Sequence, residues 1–151
     1  MENLDRRDLF AALSALAALG TAAGNASAAD EPSLTESKVI PFSSLKVIQL
    51  SNGGEQRRVI QGRLATGEAI EAHETMLPAG KMPHPPHKHV NTELLFIQTG
   101  SLEYDDDGKV TPIGPGDIVF TASNRMHGLK NVGTTPATYI VVSVGEKPMK
   151  G

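Results

Sequence analysis

The 151-residue chain has no cysteine. No disulfide framework, thiolate metal ligand or thiol nucleophile can therefore exist, and any metal must be held by histidine, carboxylate or asparagine. It also lacks an excess of basic charge: 14 Lys and Arg stand against 17 Asp and Glu, for a formal net charge of -3. Nothing in that balance would select nucleic acid or an anionic membrane surface, so neither partner is expected. A long apolar run is missing too. The least polar stretch, Leu9 to Ala23, is about 15 residues, short of the roughly 20 that a helix needs to cross the bilayer core. After that stretch no segment shows sustained helical periodicity, which removes α-helical fold classes from consideration.

The first 28 residues read as an address. A short charged stretch with Arg6 and Arg7 leads into the low-polarity run, and Ala26-Ser27-Ala28 supplies a small-residue cleavage signal. The paired arginines before Asp8, Leu9 and Phe10 resemble a twin-arginine signal, although Asp5 and the lack of a basic residue after Phe10 depart from that pattern. The expected location is periplasmic or secreted, with no membrane contact once the segment is removed. Residues 29–38 are polar, acidic and contain Pro32, and are expected to form a flexible arm. Residues 39–148 are left for a single domain, in keeping with the chain length.

What the chain has in quantity is turn chemistry, with 15 glycines and 10 prolines. Apolar and β-branched runs of strand length recur at 46–50, 59–63, 70–77, 94–98, 101–104, 110–113, 118–121 and 138–144. Between them lie Asn52-Gly53-Gly54, Pro78-Ala79-Gly80, Asp107-Gly108, Gly114-Pro115-Gly116-Asp117 and Gly133-Thr134. Many short strands at regular spacing predict an all-β antiparallel barrel or double-sheet jelly roll, since such closure hides strand edges. Asp105-Asp106-Asp107-Gly108 lacks the distal glutamate of a calcium loop and reads as a hairpin turn.

Three of the five histidines fall within six positions, in Pro83-His84-Pro85-Pro86-His87-Lys88-His89. In extended chain, His87 and His89 point to the same side while Lys88 faces away, so the pair can clamp one ion. Glu93 shares their parity, but four extended residues span about 13 Å. The chain must bend near Val90-Asn91-Thr92 for Glu93 to join them. His127, after the polar turn Ser123-Asn124-Arg125-Met126, would approach from another wall. Imidazoles with one carboxylate suit Fe(II), Mn(II), Ni(II), Co(II), Cu(II) or Zn(II), and leave positions open for water or substrate in an octahedral ion. His84 reads as an exposed loop histidine stiffened by prolines, and His73 as solvated or barrel-lining. Tyr104, Phe96, Phe120, Met76 and Met126 are candidates to line the pocket.

These spacings resemble the two signature motifs of the cupin superfamily. The first reads Gly80, His87-Lys88-His89, Glu93, Gly100; the second reads Gly116-Asp117, His127, Asn131. Gly80 lies one residue earlier than the usual pattern, and Ala122 and Asn124 stand where proline and glycine are usual. The resemblance implies a small jelly-roll β-barrel with one divalent metal in its mouth, iron or manganese by preference, on His87, His89, Glu93 and His127. Asn131 would close a turn or support the ligands. It implies a metalloenzyme, dioxygenase-like or an isomerase, lyase or decarboxylase, acting on a small oxygenated molecule. The alternatives are a non-catalytic metal-dependent protein binding a sugar or other small ligand, and metal storage. A homodimer, formed through an edge or terminal strand, is the expected assembly.

Overall fold

Strict alternation along the last strand shows how the chain is built. From Ala137 to Gly145 every second residue, Ala137, Tyr139, Val141 and Ser143, is buried, and the residues between them are not. Period-two patterning of this kind sets one strand face on a core and the other toward solvent. The computed structural model describes residues 31–146; the expected signal peptide, residues 1–28, lies outside the described residues. Ten strands form: β1 (Ser33–Leu34), β2 (Val47–Gln49), β3 (Glu55–Leu64), β4 (Ala69–Leu77), β5 (Thr92–Thr99), β6 (Leu102–Asp106), β7 (Lys109–Ile113), β8 (Ile118–Thr121), β9 (His127–Asn131) and β10 (Ala137–Gly145). One 3-10 turn, Phe42–Ser44, is the sole helical element among the described residues.

The strands make two sheets. The larger runs β1-β3-β4-β10-β5-β8 with β2 also on β3, and the smaller runs β7-β6-β9. All pairings are antiparallel except that of β1 with β3. The core lies between the sheets. Leu77, Leu95, Ile97, Val119, Ala137, Tyr139 and Val141 come from the larger, and Leu102, Tyr104 and Leu129 from the smaller. Each large side chain buried this way contributes about 1.5–3 kcal/mol. Gly100, where β5 turns toward β6, holds φ at 91°, and a Cβ there would fall on the Cβ of Ala137, with the Ala137 Cα at 2.7 Å. Only glycine satisfies both demands. The expected all-β jelly-roll barrel is the fold observed.

The strand bounds follow the sequence pattern with three informative differences. β3 begins at Glu55, four residues before its apolar run, because Glu55, Gln56, Arg57 and Arg58 pair with β4 despite their polarity. Within it the register slips between Arg58 and Ile60, leaving Val59 as an extra residue. Ser33 and Leu34, read as part of a flexible arm, pair in parallel with Arg63 and Leu64 as β1. Gly62 permits this, since a Cβ on it would strike the Pro32 carbonyl oxygen and come within 2.9 Å of Leu34 Cγ. A Glu31–Arg63 ion pair at 2.9 Å holds the same segment. The third difference is β9, whose sequence His-Gly-Leu-Lys-Asn carries one large apolar residue and no β-branched one.

Candidate metal centre

His87 and His127 are placed by the backbone before their side chains do anything. The His87 amide donates to the His127 carbonyl at 2.9 Å and the His127 amide returns the bond to His87 at 2.8 Å, an isolated antiparallel bridge. The pair His87/His89 thus sits in a short extended stretch bridged to the start of β9. The chain then bends at Val90 and Asn91, as the reach of Glu93 requires, and β5 opens at Thr92. Asn91 is buried, and its side-chain amide donates to Ser143 Oγ on β10 at 3.2 Å, which fixes the bend. Asn124 adopts the left-handed conformation at φ 60°, and its amide donates to the His89 carbonyl at 2.7 Å. Asparagine tolerates that region better than most residues, so the turn survives without glycine.

One ligand-capable nitrogen from each of His87, His89 and His127 lies within 4.8 Å of the other two. Glu93 adjoins them: its Oε1 is 3.3 Å from His89 Nε2 and its Oε2 is 3.7 Å from His127 Nε2. Glu93 and His127 are buried, at 7% and 6% exposure. His89 Nδ1 lies 3.0 Å from the Asn91 carbonyl and His127 Nδ1 lies 2.9 Å from that of Arg125. A carbonyl can only accept, so in both rings Nδ1 carries the proton and Nε2 presents its lone pair. Those two Nε2 atoms, with Nδ1 of His87, are buried and have no hydrogen-bond partner among the described residues. Buried polar atoms are paired in nearly all native interiors, and such an orphan calls for an explanation. Three of them beside a carboxylate are a donor set that fits a divalent cation. Burial, then the neighbouring imidazoles of His84, His127 and His89, pull His87 down from 6.5 to about 4, so its ring is neutral and able to ligate near neutral pH.

The cluster opens into a cavity of about 600 Å³, well within the range of small-molecule sites. Leu95, Leu129 and Val141 give it apolar walls, and Tyr104 and Tyr139 add phenols. Burial raises both phenols, so they remain protonated; Tyr104 bonds Thr121 Oγ1 at 2.7 Å and Tyr139 bonds Thr75. His84 is exposed, as expected for the proline loop, yet its ring meets that of His87 edge-on at 4.1 Å between centroids. Asn131, fully buried, donates to the carbonyls of Leu77 and Thr135 at 2.9 Å each and accepts from the Gly133 amide at 3.0 Å. It closes the β9–β10 turn. The aspartate run is a hairpin turn, with the Gly108 amide donating to Asp105 Oδ1 at 2.7 Å.

Residues 72–143 match the Cupin_2 cupin-domain family. The barrel has the cupin fold. At the level of curated proteins this chain is similar to the oxalate-binding protein of Thermotoga maritima, 29% identical over 112 residues, covering 70% of this chain and 93% of that protein. Among solved structures it is similar to a predicted oxalate decarboxylase from Thermotoga maritima, at 27% identity and TM-score 0.57, covering 71% of this chain and 98% of that one. An RmlC-like cupin from Shewanella frigidimarina shares the fold, with TM-score 0.60 at 17% identity, over 74% of this chain and 94% of that one.

Of the five side chains expected at the pocket, Tyr104 lines it, whereas Met76, between the buried Thr75 and Leu77 of β4, and Met126, 39% exposed, do not. Phe96 and Phe120 do not line it: with Glu93, Leu95 and Ile97 turned inward along β5, Phe96 faces out, and its cross-strand partner on β8 is Ile118, with Phe120 opposite Leu94. Phe120 is 65% exposed. Conversely, Gln56, Arg58 and Glu71 line the cavity alongside His73, and only His73 stood out in the sequence. The alternation Glu71, His73, Thr75 was the available signal; it reads equally as a solvated strand face.

Proposed function

We propose that this protein is an exported, mononuclear metal-binding cupin that takes a small carboxylate of the oxalate type at the ion. The observation that carries the reading is the set of three buried, unpartnered imidazole nitrogens converging beside Glu93. His87, His89 and His127 would hold the ion with Glu93 as the fourth ligand. Iron or manganese is favoured, and nickel, cobalt, copper or zinc would also suit the donors. When bound, the ion supplies Lewis acidity toward a chelating oxygen ligand. The chain's own part is orientation and exclusion: the Asn91 and Arg125 carbonyls hold two rings in one tautomer, and Leu95, Leu129 and Val141 keep water from the inner wall.

The similar proteins support the carboxylate reading and divide on turnover, since one is called a binding protein and another a predicted decarboxylase. Both outcomes are decided on the same preparation. The untagged protein should carry about one equivalent of metal, lost in His87→Ala and His127→Ala, and oxalate should bind the loaded form with far higher affinity than the metal-free form. Carbon dioxide release from oxalate, or dioxygen consumption with a wider set of oxygenated acids, would establish an enzyme. Saturable binding with neither would establish a carrier. A folded protein that takes up no metal would end the proposal. Export rests on the sequence of residues 1–28 and is tested by fractionating cells.

A further inference from the structure

The metal cluster occupies one part of the cavity, and the polar groups on β3 and β4 are left without a task. Glu71 and His73 both turn inward there, with side chains only 12% and 16% exposed, and His73 Nδ1 lies 3.1 Å from Glu71 Oε1. The His73 bond, before the charges of His73 and Arg58, holds the Glu71 carboxyl below its usual range against the effect of burial. Glu71 is therefore an acceptor, His73 Nδ1 is the donor, and His73 Nε2 is left for something else. Arg58 is the direct cross-strand partner of His73, which sets the two side chains next to each other on one face. The register slip just after Arg58 is the kind of irregularity that re-aims a side chain. Arg58 lines the cavity, is exposed at its opening, and its side chain makes no hydrogen bond or ion pair with another of the described residues. Gln56 lines the same wall.

Charge points the same way. Glu71 and Glu93 are the acidic residues lining the cavity, and a divalent ion together with Arg58 outweighs them by one unit. Gln56, Arg58 and Glu71 all precede residues 72–143, the stretch that matches the cupin family. The cavity, at about 600 Å³, is far larger than oxalate needs, and Leu95, Leu129 and Val141 give it apolar walls. We infer that Arg58 and His73, the latter oriented by Glu71, form a second anchoring point that holds an anionic group at the far end of a metal-chelating acid. This deepens the proposed function and rests on it: the ligand class becomes a hydroxy- or oxo-acid with a second carboxylate, separated from the chelating end by a short carbon chain.

The test uses acids matched in length. Malate and 2-hydroxybutanoate share a chelating end and differ in the distal carboxylate, as do 2-hydroxyglutarate and 2-hydroxypentanoate. Calorimetric titration of the Mn(II)-loaded protein should show the diacid of at least one pair binding about fivefold to tenfold tighter, the range for a charge-assisted contact partly open to solvent. Added salt should shrink the ratio. Arg58→Gln should bring the two acids of that pair within twofold of each other, and His73→Gln should reduce the ratio. Arg58→Lys, which keeps charge and loses the fork, should fall between. Equal affinities for both acids of both pairs in the unaltered protein would overturn the inference while leaving the metal–carboxylate reading intact, and that measurement needs no variant. An unchanged ratio in Arg58→Gln would overturn it as well. Failure of every acid, oxalate included, to bind the loaded protein would bring down the proposed function and this inference together.

Discussion

His87 shows what a candidate ligand costs before any ion binds. Its ring is kept neutral by burial and by three neighbouring imidazoles, at about 4 against 6.5 for a free histidine. The unfolded chain therefore binds a proton on this residue between those values while the folded chain does not, and stability falls as pH falls through that window. Glu71 adds to the same trend at lower pH, since its lowered carboxyl contributes stability above 4.5 that is lost as pH drops through its folded value. Metal-free protein should thus melt at progressively lower temperature from pH 6.5 toward 4, and His87→Gln should flatten that slope. Parallel slopes would mean that His87 titrates as an ordinary histidine. Metal at a hundredfold excess over its dissociation constant should stabilise the protein by about 2.7 kcal/mol.

The ligand residues were legible because histidines at a two-residue spacing are rare enough to be noticed. The second anchoring point was not, because Arg58 and Glu71 are types that populate solvated strand faces, and only the cross-strand register with β4 sets Arg58 beside His73.

At the scale of elements, the turns carry more of the design than the strands. Asn131 ends β9 and spends both amide protons on carbonyls of other elements. Asn131→Ala leaves Leu77 and Thr135 without those donors in a fully buried place, and should cost about 1–3 kcal/mol in denaturant unfolding. Recovery of full stability would show that water replaces the amide. Seven of the eight apolar runs marked strands to within two residues, because hydrophobic alternation survives wherever one face is buried; β3 alone ran well past its run. β9 escaped notice for the opposite reason: His127, Gly128 and Asn131 are buried in the histidine cluster, in close packing and in turn closure, and none of those places has an apolar signature. Gly128 faces Pro86, whose Cγ would be 3.1 Å from a Cβ there. β1 was hidden by its length and by the dependence of its pairing on Gly62.

At the scale of the molecule, the outer face of the larger sheet is apolar at one edge. Among the described residues β8 pairs only with β5, and their outward residues Phe96, Ile118 and Phe120 are 37%, 61% and 65% exposed. We predict a homodimer through this edge, where self-pairing would cover both the apolar groups and the edge strand. Sedimentation should give twice the chain mass, and Phe120→Glu should shift it toward the monomer with metal content retained. A monomer in the unaltered protein would set the dimer aside.

The reciprocal hydrogen bonds between His87 and His127, and that from Asn124 to His89, are all made by main-chain atoms. The mount for the proposed ion is therefore written in the backbone, and the imidazoles are interchangeable fittings on it. A lineage could lose one ligand by a single substitution and keep a shaped, walled cavity, free to drift toward another ion or toward none. Diversification of chemistry without loss of architecture is what such a division of labour allows.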